Sequence, residues 1–143
     1  MKLFLDTSVL LSACNSQTGA SSVLFDLAET NDWELIASPW VVTEVTRNLI
    51  KFPPSAELQW KELFFKLMLT KDVVSLNQPV VFSVTKDRPV LISALASADV
   101  LLTLDREDFM ALLGNDFYGM AILLPSEFLK RERTAGRLKN PTI

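Results

Sequence analysis

The sequence contains no histidine. That excludes Ser-His-Asp and Cys-His catalysis, histidine general acid–base pairs and histidine-rich metal sites. A single cysteine, Cys14, excludes an intrachain disulfide and a cysteine-based zinc cluster. No apolar run reaches the roughly 18 residues that a membrane span needs. The chemical vocabulary that remains is carboxylates, hydroxyls and basic side chains. Carboxylates favour hard cations such as Mg²⁺ or Mn²⁺.

What is present suits one domain. The chain has 143 residues, 49% of them hydrophobic, enough to bury a sizeable core. The net charge of -3 is unevenly spread. From Lys130 onward, Lys130, Arg131, Arg133, Arg137 and Lys139 stand against Glu132 alone, a net of +4, which leaves -7 on the rest. We therefore expect a domain over 1–129 and a basic tail over 130–143. Such a tail is either a solvated end or a nucleic-acid contact, and the acidic body suits cations.

The opening stretch KLFLDTSVLLSAC places Asp6 between two apolar runs. Leu11-Ser12-Ala13-Cys14 is similar to a bacterial lipoprotein cleavage box. Asp6 interrupts the segment that should be apolar, and Lys2 is the only basic residue before it, so a reducing, cytoplasmic location is expected instead.

Short apolar runs alternate with helical patterns along the whole chain. Strands are expected at Lys2–Leu5, Glu34–Ala37, Asp72–Ser75, Val100–Leu104 and Gly119–Leu124. Helices are expected at Ser8–Cys14, Ala20–Thr30, Pro39 to about Lys51, across AELQWKELFFKLML, from Asp87 through VLISALASA, over Asp105–Leu113, and from Pro125 into the basic tail. Ser38-Pro39 is a helix start, with serine as cap and proline in the first turn. Asn77–Thr85 is ambiguous, and Pro79 argues against a central strand there. Continuous rather than alternating apolar strands indicate a parallel sheet with helices on both faces.

In such a sheet, ligands bind beyond the carboxyl ends of the strands. Asp6 follows the first strand, and Asp105 follows VLLTL with Thr103 two residues before it on the same side. Asp87 opens the helix leading to that strand. Each of the three has an ordinary explanation as a helix N-cap, and Asp105 with Asp108 resembles a capping box. Glu44 is different. It lies in mid-helix among Trp40, Val41 and Val45, where no cap is needed. If the four carboxylates converge, their repulsion requires a cation.

Three patches together resemble the PIN-domain family, over Leu3 to about Leu129. FLDTSVLLSA is similar to the family's first strand and its Asp-Thr-Asn/Ser. SPWVVTEVTRNL resembles its helix with one internal glutamate. KDRPVLISALASADVLLTLDREDF resembles its distal signature, ending in Thr-x-Asp and Asp-Phe. The resemblance implies an α/β three-layer sandwich around a mainly parallel twisted sheet of four to five strands. By position, Asp6, Glu44, Asp87 and Asp105 match the acidic quartet as catalytic and metal-binding residues. Thr7 or Ser8 and Thr103 match its supporting hydroxyls, and Asp108 a further acidic residue. Asp87 lacks the extra acidic neighbours of many relatives, which leaves Asp99 as a rival, although Asp99 sits at a strand entry.

The resemblance implies a metal-dependent ribonuclease cleaving RNA with metal-activated water and one or two Mg²⁺ or Mn²⁺ ions. It also implies a toxin of a toxin–antitoxin pair, with an antitoxin partner and often a homodimer. Lys130, Arg131, Arg133, Arg137 and Arg47 or Arg88 would hold the RNA backbone. Trp60, Phe64 and Phe65 offer either an apolar partner surface or ordinary core packing. Readings from other classes remain. A haloacid-dehalogenase-type phosphatase needs a second acid where Ser8 stands. A receiver domain needs an acidic pair where Asp6 stands alone. A PIN fold that binds RNA or protein without cutting is the third.

Overall fold

The structure, a computed structural model, describes residues 1–73, 88–107, 109 and 112–141. Strand β1 (Lys2–Leu5) leads into α1 (Thr7–Asn15) and α2 (Ala20–Ala28). Strand β2 (Glu34–Ala37) leads into α3 (Pro39–Asn48), a 3₁₀ turn at Leu49–Lys51 and α4 (Pro54–Phe64). The chain continues through β3 (Met68–Leu69), α5 (Arg88–Ser97), β4 (Val100–Leu102), β5 (Asp116–Phe117), β6 (Met120–Leu123) and α6 (Pro125–Thr134). The sheet order is β3-β2-β1-β4-β6-β5. All pairings are parallel except β5 with β6. The expected α/β sandwich is therefore the observed one, with six strands rather than four to five because each edge adds a strand of two residues.

The core explains the apolar runs. Leu3, Phe4 and Leu5 of β1 are fully buried, as are Leu101 and Leu102 of β4, so both faces of the central strands are covered. Chain order sets the layers. From β1 to β3 the sheet grows one way, and α1 packs on α2 and α4 while α2 packs on α6. From β3 to β4 the chain returns the other way. Helix α5 packs against β1, β4 and α3. Among the described residues no helix is long and apolar enough to cross a membrane. Cys14 lies buried on α1, and burial pushes its thiol up to about 11.

Four expectations need correction. The third strand is Met68–Leu69, not Asp72–Ser75. Helix α4 ends at Phe64, so the KLML end of its apolar stripe is free to pair with Ile36 and Ala37. Asp72 and Val73 are committed elsewhere: Asp72 accepts from the Trp40 amide, and the Val73 amide donates to Ser93 Oγ, both at 3.0 Å. None of the described residues of 105–113 is helical, and 106, 107, 109, 112 and 113 are in turns. Phe109 is fully buried, and both the Leu112 and Leu113 amides donate to its carbonyl. Strand β4 stops at Leu102, because the Leu104 amide turns to Ser8 Oγ. Trp60 belongs to the core, edge-on to Phe64 at 5.6 Å, while Phe65 is exposed. The ambiguous Asn77–Thr85, with Asp87 and Asp108, lies outside the described residues.

The basic C-terminal residues are built into the fold. Lys130, Arg131 and Arg133 are on α6, which crosses position 129 without a break. Arg131 donates to the Gly114 carbonyl and to Glu127. Arg137 Nε donates to buried Glu132 at 2.6 Å, closing the reversal after the helix. Asn31 and the Lys139 backbone exchange two hydrogen bonds of 2.8 Å, and Leu138 packs on the core.

Candidate functional site

Strands β2, β1 and β4 are parallel neighbours, so their carboxyl ends open on one side. Asp6 stands at the end of β1 and caps α1, with Oδ1 accepting from the Thr7 amide at 2.8 Å. Its Oδ2 accepts from the Thr103 hydroxyl at 2.7 Å and from Ser8 Oγ at 3.3 Å. Thr103 Oγ1 in turn accepts from the Asp105 amide at 3.0 Å, which fixes the turn carrying Asp105. Glu44 projects from α3, its Oε1 accepting from Thr7 Oγ1 at 3.3 Å. Asn48, one turn later, donates to the Glu44 carbonyl at 2.7 Å.

These groups line one cleft of about 330 Å³. Its walls are Asp6, Thr7, Ser8, Leu11, Trp40, Glu44, Asn48 and Asp105. Three of the eight are acidic and none is basic. Burial raises the Asp6 carboxyl above its ordinary value. The Thr103 and Thr7 hydrogen bonds pull it down, the charge of Glu44 pushes it up, and the Ser8 bond pulls it down. Among the described residues no three acidic groups are grouped tightly enough to hold an ion by themselves. The donor set still fits a hard divalent cation. Its described lining offers oxygen ligands, brings three carboxylates together, and leaves room for the water that Mg²⁺ retains.

The expected site residues divide clearly. Asp6, Thr7, Ser8, Glu44 and Asp105 line the cleft, and Thr103 ties Asp6 to Asp105. Asp87 and Asp108 lie outside the described residues. Asp99 is at the other end of the sheet, where its Oδ2 accepts from the Lys2 amide at 2.7 Å. Ser8 donates to Asp6 and accepts from Leu104, so it supplies no second acid for phosphatase chemistry. Lys130, Arg131, Arg133 and Arg137 do not line the cleft. Lys139, which follows them, is fastened to Asn31 just before β2 begins, roughly 13 Å of strand from the carboxyl ends. Trp40, Leu11 and Asn48 line the cleft without having been expected there. The signal for Trp40 was its place four residues before Glu44, on the same helix face.

Thr103→Val tests the bridge. It removes a donor from Asp6 and an acceptor from the Asp105 amide while keeping the side-chain volume. A loss of about 1–3 kcal/mol in urea denaturation is expected, the cost of taking one hydrogen-bond partner from the buried Asp6 carboxylate and one from the part-buried Asp105 amide. A change near zero would mean that the two aspartates do not depend on this hydroxyl.

A family model described as PIN domain matches residues 2–107. The fold is also similar to a chain in the crystal structure of VapBC2 from Rickettsia felis bound to a DNA fragment from its promoter. That likeness has a TM-score of 0.61 at 15% identity and covers 85% of this chain and 97% of the other. Identity this low speaks for the fold alone. No curated protein matches the sequence.

Proposed function

The chain belongs to the PIN-domain family, whose members are generally nucleases using divalent metal ions, and on that premise we propose that it is a metal-dependent endoribonuclease. One observation carries the reading most. Asp6 is 6% exposed, its carboxyl is raised by burial and by Glu44, and among the described residues that line its cleft three are acidic and none is basic. A cation is the natural counter-charge.

Asp6, Glu44 and Asp105 would hold one or two Mg²⁺ or Mn²⁺ ions, with Asp87 as the fourth acid. Bound there, the metal would supply activation of water at neutral pH and neutralisation of charge on the scissile phosphate. The chain's own part is orientation. The Thr7 amide and the Thr103 hydroxyl hold the Asp6 carboxylate from two sides. Ser8 ties it to the Leu104 backbone, and Thr103 carries that order to Asp105. The RNA backbone would be held by Arg47 beside the cleft, with exposed Lys130, Arg131, Arg133 and Arg137 left for a longer strand.

The VapBC2 likeness supports a toxin role, with a separate antitoxin, a homodimer and a cytoplasmic setting as parts of the same proposal. A basic tail over 130–143 following a domain of 1–129 belongs to the same proposal. A non-catalytic RNA- or protein-binding module is the second reading. It is favoured by the absence, among the described residues, of a tight group of three acids. The deciding experiment is RNA cleavage by the purified chain. Cleavage should appear with Mg²⁺ or Mn²⁺, stop with chelator and return when metal is restored. Binding of RNA with no cleavage at any metal concentration would favour the module.

A further inference from the structure

Trp40 is the one tryptophan left in the open. It is 44% exposed, whereas Trp33 and Trp60 are 8% exposed and packed edge-on against Phe128 and Phe64. Trp40 has no ring partner among the described residues. It stands where two hollows meet. One is the carboxylate cleft. The other is a slot of about 180 Å³ lined by Pro39, Trp40, Thr43, Glu44, Arg47 and Asp72. The indole is therefore a wall shared by the acidic site and the slot next to it.

The backbone holds this wall in place. Pro39 and Trp40 form the first turn of α3 behind the Ser38 cap, and the Trp40 amide donates to Asp72 Oδ1 at 3.0 Å. Trp40, Glu44 and Arg47 follow at helical spacing, so one face of α3 presents an aromatic plane, a carboxylate and a guanidinium. Arg47 also lies in the last turn, where a cation suits the helix dipole. The dipole accounts for its charge, but not for its alignment with an exposed indole.

We propose that Trp40 and Arg47 form a subsite for an unpaired nucleobase of a single-stranded RNA, next to the carboxylate cleft. The base stacks on the indole, and Arg47 meets the adjoining phosphate. Stacking on an aromatic side chain requires an open base face, so a duplex cannot use the slot. The slot has room for one planar ring and is continuous with the cleft through Trp40 and Glu44. A base seated there would set which phosphate of the strand lies over Asp6 and Asp105. The inference rests on the nuclease reading for its choice of ligand, but its test does not depend on cleavage.

The test measures binding of a short, unstructured, end-labelled oligoribonucleotide to Asp6→Asn protein by fluorescence anisotropy. Adding Trp40→Ala should weaken binding about tenfold, the scale of one lost stacking contact. Adding Trp40→Phe should retain most of the affinity and shows that the site still folds. An abasic residue moved along the strand should reproduce the loss at one position, and Trp40→Ala should then cost nothing further. Binding of a duplex of the same sequence should not respond to Trp40. Equal single-strand affinity with and without Trp40→Ala overturns the subsite, as does an equal loss for the duplex. Cleavage by the parent chain, measured alongside, separates the two readings. Metal-dependent cutting with no Trp40 effect on binding leaves the nuclease and removes the subsite. A Trp40-dependent gain without any cutting leaves the subsite and removes the nuclease.

Discussion

Replacing Asp6 with asparagine is expected to lower RNA cleavage by about a thousandfold or more while making the metal-free protein more stable. The first effect follows from the role proposed for the carboxylate. Loss of one group aimed at charge that develops in the transition state typically costs on the order of a hundred- to a thousandfold. A metal position weakened at the same time adds to that. The loss should fall on kcat and kcat/KM together, since the interaction is made during the reaction rather than in holding the strand.

The second effect comes from the direction of the Asp6 shift. Burial and Glu44 raise its carboxyl above the ordinary value of 3.8. Below that value the group is protonated both folded and unfolded, and it costs nothing. As pH rises from 3.8 through the raised folded value, the unfolded chain releases its proton and the folded chain resists. Stability contributed by the neutral form is therefore lost over that window, and at neutral pH the buried charge opposes folding. Asparagine escapes this. Its carbonyl still accepts from the Thr7 amide as an N-cap. Its amide can donate to Thr103 Oγ1, a hydroxyl with one lone pair left beside the bond from the Asp105 amide. In chelator, thermal unfolding should thus occur later for Asp6→Asn than for the parent. With metal at a hundred times its dissociation constant, the parent alone gains about 2.7 kcal/mol, and the order should reverse. Cleavage by Asp6→Asn at the parent rate would overturn the site. A variant less stable than the parent in chelator would show that the carboxylate is not strained in the free protein.

This pairing of activity with strain was legible in the sequence only in part. The carboxyl ends of β2, β1 and β4 follow from three continuous apolar runs in a parallel sheet, so Asp6, Glu44 and Asp105 could be placed together before their distances were known. Ser38-Pro39 was equally plain, because a cap acts within one turn: Ser38 Oγ accepts from the Val41 amide at 3.4 Å. What escaped is non-local or very short. Strands of two residues, Met68–Leu69 and Asp116–Phe117, are too short to carry a period. The stretch from Asp105 has the composition of a helix, yet none of its described residues is helical, and Phe109 is fully buried. Charge counts alone left the basic end as either a solvated tail or a nucleic-acid contact. Its bonds to Asn31, Glu132 and Gly114 join positions far apart in the chain or hidden in a helix turn. Trp40 was read as an apolar neighbour of Glu44, because an exposed indole and a buried one look the same in sequence.

The largest loss of stability is expected from Phe4→Ala, and it separates scaffold from chemistry. Phe4 is fully buried on β1, the strand between β2 and β4, and is paired in register with Ile36 and Leu101. Sheet neighbours flank it on both sides and helices cover both faces, so little can collapse into the space it leaves. A Phe→Ala change in such a place costs about 3–5 kcal/mol. A domain has only about 5–15 kcal/mol to lose. At this chain length the melting temperature should drop by roughly 10 °C or more. The urea midpoint should fall with little change in slope, because the loss is one of packing rather than of the surface exposed on unfolding. Phe65→Ala, at a ring 86% exposed, should change stability by no more than about 0.5 kcal/mol and serves as the contrast. Phe4 lies on β1 and Asp6 just beyond its carboxyl end, two residues on, so the cavity also tests how firmly the strand end is held. The Asp6 amide is bonded to the Leu102 carbonyl at 3.0 Å, and its carboxylate is gripped by Thr7, Ser8 and Thr103, none of which depends on the Phe4 ring. Cleavage per folded molecule should therefore survive in Phe4→Ala far better than in Asp6→Asn, even though Phe4→Ala is much the less stable protein. If kcat collapsed in both to the same degree, at a temperature where Phe4→Ala remains folded, the position of Asp6 would be set by core packing rather than by its own hydrogen bonds.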